Sequence, residues 1–224
     1  MRILPSLAVG FLLAAAGVGA QQPGETPISS GPALPKGDPA RGARLAAERC
    51  IECHDVSGAG KGLHRPNLAG QKEPYLVKQL LSYQASSRGA EEQRLLGWRW
   101  HPRMASVGGG MTGSDIADLA AHFSGRACLG SGTRPQPRPE IAERCNLCHG
   151  PHGRGLYPTI PNIAGQKELY LLRQLDAFRA RGKAVGTGDT EVRRSNPMMD
   201  RQAHLLSENE IVLLSAYFSG LPCA

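Results

Sequence analysis

Two five-residue stretches carry the chemistry open to this chain. Cys50-Ile51-Glu52-Cys53-His54 and Cys145-Asn146-Leu147-Cys148-His149 share one form: two cysteines separated by two residues, then a histidine. On a helix such thiols lie about one turn apart. They can add to the two vinyl groups along one haem edge while the next imidazole turns towards the iron. The pattern is the signature of covalent haem attachment. It predicts two haem c groups, held by thioethers at Cys50, Cys53, Cys145 and Cys148, with His54 and His149 as axial iron ligands. Two other uses of paired cysteines fit less well. A thioredoxin-like redox pair needs a βαβ pattern around it, and none is present. A shared zinc site would have to join pairs 95 residues apart, each with its own histidine.

The motifs recur because the whole chain recurs. A shift of 95 residues lays Cys50, Cys53 and His54 on Cys145, Cys148 and His149, and Pro66 and Asn67 on Pro161 and Asn162. It lays Ala69-Gly70-Gln71-Lys72-Glu73 on Ala164-Gly165-Gln166-Lys167-Glu168, and Tyr75, Gln79 and Leu80 on Tyr170, Gln174 and Leu175. Phe123-Ser124-Gly125 and Cys128 fall on Phe218-Ser219-Gly220 and Cys223.

The repeat also arbitrates the sixth position on each iron. Methionine opposite histidine is the c-cytochrome arrangement and raises the reduction potential. Met104 and Met111 are available in the first copy, Met198 and Met199 in the second. Only Met104 and Met199 coincide, each two residues after an equivalent proline, Pro102 or Pro197. Met104 and Met199 are therefore the expected sixth ligands, although a methionine more often simply fills a core. His64, His101, His122, His152 and His204 have no histidine at the equivalent position and are expected at the surface or beside the site.

Helices must position these groups. Ala40 to Arg49 is rich in good helix formers and runs into the first cysteine. Glu73 to Ala85 has Pro74 in a first-turn position and apolar Leu76, Val77, Leu80, Leu81 and Tyr83 near a 3.6-residue period. A capping box, Ser207 with Glu210, opens the last helix, whose inward face is read as Ile211, Leu214, Ala216 and Phe218. Thr112 and Asp115 open its counterpart, with Ile116, Leu119 and Phe123 inward. No alternating run predicts a hairpin, so each lobe is read as all-α. Aromatics make up only 5% of the residues, too few to fill two cores unaided, and buried cofactors would fill them.

The expected organisation is a signal peptide (1–20), a Pro/Gly-rich tether (21–36), an N-terminal lobe (37–128), a linker (129–139) and a C-terminal lobe (140–224). Arg2 and the apolar run Leu7 to Ala20, ending Val18-Gly19-Ala20, read as a secretion signal rather than a membrane span, for which they are short. The linker centres on Gly130-Ser131-Gly132-Thr133-Arg134-Pro135-Gln136-Pro137-Arg138-Pro139, which has no apolar period and favours an extended path. The formal charge is +7, with no basic run longer than a pair. For an exported chain this argues against nucleic acid. It leaves steering towards an acidic partner, compensation of anionic cofactor groups, or a merely solvated surface.

Together the two C-x-x-C-H motifs, the paired Pro-x-Leu/Ile-Ala-Gly-Gln segments (Pro66 to Gln71, Pro161 to Gln166), the Tyr-Leu-x-x-Gln-Leu helices and the Met104 and Met199 loops resemble the cytochrome c4 family. These are the two-haem members of the class I c-type cytochromes, and the resemblance covers roughly Gly37 to the C-terminus. It implies two tandem class I cytochrome c domains related by a pseudo-two-fold axis. It implies a periplasmic electron carrier taking one electron per haem from a membrane quinol-oxidising complex to a haem-copper oxidase, with no small-molecule substrate. Association with a membrane surface is left open. The alternatives are a cytochrome subunit of a sulfur-oxidising flavoprotein complex, or a two-haem peroxidase or thiosulfate dehydrogenase. The enzymes need one iron with a different or labile ligand, and the symmetry of the copies argues against that.

Two features depart from the family. Cys128 and Cys223 sit at equivalent places after the last helices, and thiols in an oxidising compartment tend to pair. They either bridge the lobes or remain free or pair between molecules. Trp98 and Trp100 fall on Arg193 and Ser195, so the first methionine loop is expected to be the more apolar and the two potentials to differ.

Overall fold

A computed structural model describes residues 34–87, 98–130, 137–180 and 193–223. The expected signal peptide, nearly all of the tether and the middle of the linker lie outside the described residues. No described helix is long and apolar enough to cross a membrane.

The N-terminal lobe contains α1 (Pro39–Arg49), α2 (Ile51–His54), α3 (Glu73–Ser87), a short strand β1 (Trp98–Trp100), α4 (Pro102–Gly109) and α5 (Gly113–Ser124). The C-terminal lobe repeats this with α6 (Ala142–His149), α7 (Glu168–Arg179), β2 (Arg193–Ser195), α8 (Pro197–His204) and α9 (Glu208–Gly220). The starts follow from local chemistry. The Asp38 carboxylate accepts from the Ala40 and Arg41 amides with Pro39 in the first turn, so α1 begins with its free amides satisfied. Both expected capping boxes form, Thr112 with Asp115 on α5 and Ser207 with Glu210 on α9.

Each lobe buries a small core against its last helix. Leu76, Ile116, Leu119 and Phe123 meet Ala46 and Met111 in the first lobe. Leu171, Leu206, Ile211, Leu214, Tyr217 and Phe218 surround Ala142 in the second. One inward position differs from the sequence reading, since Ser215 is fully buried and Ala216 is only half-buried. A lone polar residue between two apolar ones carries no periodic signal.

The lobes join through contacts that exchange under the 95-residue shift, an isologous arrangement. The Asn67 amide donates to Gln166 Oε1 (2.9 Å), and Gln166 Nε2 donates back to the Asn67 carbonyl (2.9 Å). The equivalent Asn162 amide donates to Gln71 Oε1 (2.9 Å), and Gln71 Nε2 donates to the Asn162 carbonyl (2.8 Å). Lys72 Nζ reaches the carbonyls of Gly155 (2.5 Å) and Tyr157 (3.0 Å), and Lys167 Nζ those of Gly60 and Gly62. Strands β1 and β2 pair antiparallel across the boundary, Arg99 opposite Arg194, Trp98 opposite Ser195 and Trp100 opposite Arg193. This small sheet is absent from the all-α expectation, because three residues give no alternation and the partner lies in the other lobe.

Cys128 and Cys223 form a disulfide, with Cα atoms 5.9 Å apart, inside the roughly 7 Å limit for bridging. Equivalent residues close to a two-fold axis are close to each other. Gly70 and Gly165 make room for this bridge: at φ +70° and +66° they adopt the left-handed conformation, and a Cβ on either would stand 2.8 Å from the Cβ of Cys128 or Cys223. The shared Ala-Gly-Gln segment therefore needs its glycine.

Two outcomes are expected in denaturant unfolding of the holoprotein followed by circular dichroism. Cys128→Ser with Cys223→Ser lowers stability by about 2–4 kcal/mol, without loss of haem. Gly70→Ala lowers it by about 1–2 kcal/mol for the left-handed backbone alone, and more because the bridge is crowded.

Candidate cofactor site

The two C-x-x-C-H motifs sit at helix ends. In the first lobe Cys50 closes α1 and the remaining residues form α2, whereas in the second the whole motif lies within α6. All four motif cysteines are unpaired and half-buried, and burial pushes the Cys50 and Cys145 thiols up to about 11. Both histidines are buried. His54 Nδ1 lies 3.1 Å from the Pro66 carbonyl and His149 Nδ1 lies 3.2 Å from the Pro161 carbonyl. A carbonyl only accepts, so Nδ1 carries the proton and Nε2 keeps its lone pair. Burial favours the neutral form of both imidazoles, lowering His54 to about 4 and His149 below its ordinary value, although the carbonyl bond opposes this in each. A neutral imidazole with its second nitrogen fixed by a carbonyl is the form that ligates a metal.

Both motifs open on one cavity of about 610 Å³, which crosses the lobe boundary and is lined by the four cysteines, the two histidines and four methionines. The methionines differ in setting. Met111 is 4% exposed within the first core, and Met198 is 62% exposed at the surface. Met104 and Met199 are half-buried on the cavity wall, on the equivalent helices α4 and α8. The donors in each lobe, two thiols, an imidazole lone pair and a thioether sulfur, fit a covalent haem. No group of three His, Cys, Asp or Glu side chains among the described residues could hold another metal ion, so the two cysteine pairs do not join into a zinc site.

The surfaces beside the two motifs are not alike. In the first lobe Glu52 and Arg103 lie 3.8 Å apart as an exposed ion pair. Their equivalents are Leu147 and Met198, exposed by 76% and 62%. The tryptophans also serve the contact between the lobes. Trp98 lines the cavity, but both lie in β1, and Trp100 is covered by the Arg193 guanidinium at 5.0 Å, so they belong to the inter-lobe strand pair as much as to the first methionine loop.

Sequence reasoning singled out the candidate haem-binding residues but passed over Arg99 and Arg194, buried residues that also line the cavity. They coincide under the same shift, which was the available signal. Isolated in poorly matching stretches, they do not stand out from other arginines.

Residues 39–125 and, separately, 140–222 match the family Cytochrome c. Cytochrome c4 of Azotobacter vinelandii is 32% identical over 202 residues, 83% of this chain and 90% of that protein. A thiosulfate dehydrogenase electron acceptor of Stutzerimonas stutzeri is 29% identical over 80% of this chain and 82% of its own length. The crystal structure of reduced recombinant cytochrome c4 from Pseudomonas stutzeri superposes with a TM-score of 0.65 at 30% identity, over 83% of this chain and all of that one. Two matched domains, each with its own C-x-x-C-H motif, imply two covalently bound haem c groups. The chain belongs to the cytochrome c family and, within it, to the two-haem cytochromes c4.

Proposed function

We propose that this cytochrome is a periplasmic carrier that takes one electron on each haem from a quinol-oxidising membrane complex and delivers it to a haem-copper oxidase. The observation that carries this reading is the equivalence of the two sites: each lobe presents an Nδ1-protonated histidine and a half-buried methionine on the wall of one shared cavity. Bound there, each haem supplies a one-electron Fe(III)/Fe(II) couple.

The chain's own residues do the rest. Thioethers from Cys50, Cys53, Cys145 and Cys148 prevent loss of the cofactor. His54 and His149 are the proposed proximal ligands, oriented by the Pro66 and Pro161 carbonyls. Met104 and Met199 are the residues that would supply the sixth ligands, and with both in place neither iron would have a position open to substrate. Buried apolar walls keep water from rearranging as charge changes. The disulfide and the paired glutamines hold the lobes in one relation, so the path between the haems does not depend on a chance encounter.

A second donor is favoured by one observation. A relative covering 80% of this chain is named a thiosulfate dehydrogenase electron acceptor. On that reading electrons enter from a sulfur-oxidising enzyme, and the carrier role is unchanged.

Optical spectra of the oxidised holoprotein test the ligands. The weak absorption at the red end that reports methionine sulfur on ferric haem is expected at two-site strength, with no carbon monoxide binding after reduction. Met104→Ala or Met199→Ala should each remove half of that band and open one haem to carbon monoxide. A half-strength band in the unaltered protein would mean that one iron is ligated differently and would return the peroxidase and dehydrogenase readings. Mixing the oxidised protein with either donor under stopped flow then separates the two. The true donor reduces both haems, and the other leaves them oxidised.

A further inference from the structure

Arg99 and Arg194 face each other in the middle of the β1–β2 pair and are 7% and 9% exposed. Withdrawing a guanidinium from water costs several kcal/mol unless it is well paired. Among the described residues no carboxylate lies within ion-pair distance of either. Their partners are neutral and come from both lobes. Arg99 donates to Gln79 Oε1 (2.9 Å), Tyr170 Oη (2.6 Å) and Gln174 Oε1 (3.2 Å). Arg194 donates to Gln174 Oε1 (2.6 Å), Tyr75 Oη (2.8 Å) and Gln79 Oε1 (3.3 Å). The Tyr83 ring lies 5.0 Å from Arg99 and the Phe178 ring 4.4 Å from Arg194. The buried Nε of Arg99 has no hydrogen-bond partner.

Neutral acceptors and aromatic faces position two like charges but do not neutralise them. Both guanidiniums line the cavity that holds the thioether cysteines and the histidines. A haem c brings the missing sign of charge, because the porphyrin carries two carboxylates on the edge away from its thioether links. We propose that Arg99 and Arg194 form one cationic seat for the haem carboxylates of both lobes, and that this seat raises both reduction potentials together. Reduction removes one positive charge from a haem, so a fixed cation nearby favours the reduced form. Because each guanidinium is anchored by side chains of both lobes, its effect is shared rather than confined to its own repeat. The proposal rests on the two haems and not on which proteins exchange electrons with them.

The test compares Arg99→Gln and Arg99→Lys in the full holoprotein by haem count and by potentiometric titration of both haems. Arg99→Gln is expected to retain two haems and to shift the oxidised-to-reduced ratio of each about tenfold towards oxidised at fixed potential, about 59 mV for a one-electron couple. Arg99→Lys keeps the charge and is expected to leave both potentials near those of the unaltered protein. Loss of haem in the glutamine variant with retention in the lysine variant would also support the seat, since charge alone separates them. Unchanged potentials in a fully loaded Arg99→Gln protein would overturn it. So would equal effects of the two substitutions, on potential or on haem content, because a role confined to shape does not distinguish charge.

Discussion

Gln71 and Gln166 each close a two-point hydrogen bond onto the backbone of the opposite lobe, and the cofactor cavity takes its shape from that pairing. Each bond is worth about 0.5–1.5 kcal/mol net, but geometry is the greater contribution. A side-chain amide that both accepts from and donates to one residue fixes distance and direction together. Repetition about the pseudo-axis then removes the remaining freedom, and the disulfide closes the same face covalently.

One short segment links that interface to the motif histidines. The Pro66 carbonyl orients His54, Asn67 donates to and accepts from Gln166 of the other lobe, Gly70 turns past the disulfide, and Gln71 reaches back across the boundary. Pro161 to Gln166 does the same in mirror order of lobes. Within six residues, orientation of the motif histidine and lobe docking share one backbone. The backbone that holds each imidazole is thus the backbone that docks the lobes.

Near-symmetry of the backbone leaves the side chains free to differ. Glu52 and Arg103 form an exposed ion pair beside the first motif, where exposed Leu147 and Met198 stand at the equivalent positions of the second lobe. Two lobes with the same internal wiring thus show different surfaces. The basic balance of +7 bears partly on the interior as well, since two of its charges are the buried Arg99 and Arg194.

The sequence by itself determined whatever is local or doubled. The C-x-x-C-H spacing brings thiols and imidazole close together along the chain, capping boxes start α5 and α9, and the 95-residue shift pairs Met104 with Met199 among four candidate methionines. Those features depend on neighbours a few residues away or on comparison of the chain with itself. Contacts between copies were decided by tertiary structure alone: the β1–β2 pairing, the glutamine exchange, the choice of a disulfide for Cys128 and Cys223, and the meeting of Arg99 with Arg194. The physical reason is that a self-repeat shows which residues are equivalent but not where the axis relating them passes. Residues near that axis become neighbours, the rest stay apart, and no spacing along the chain encodes the difference.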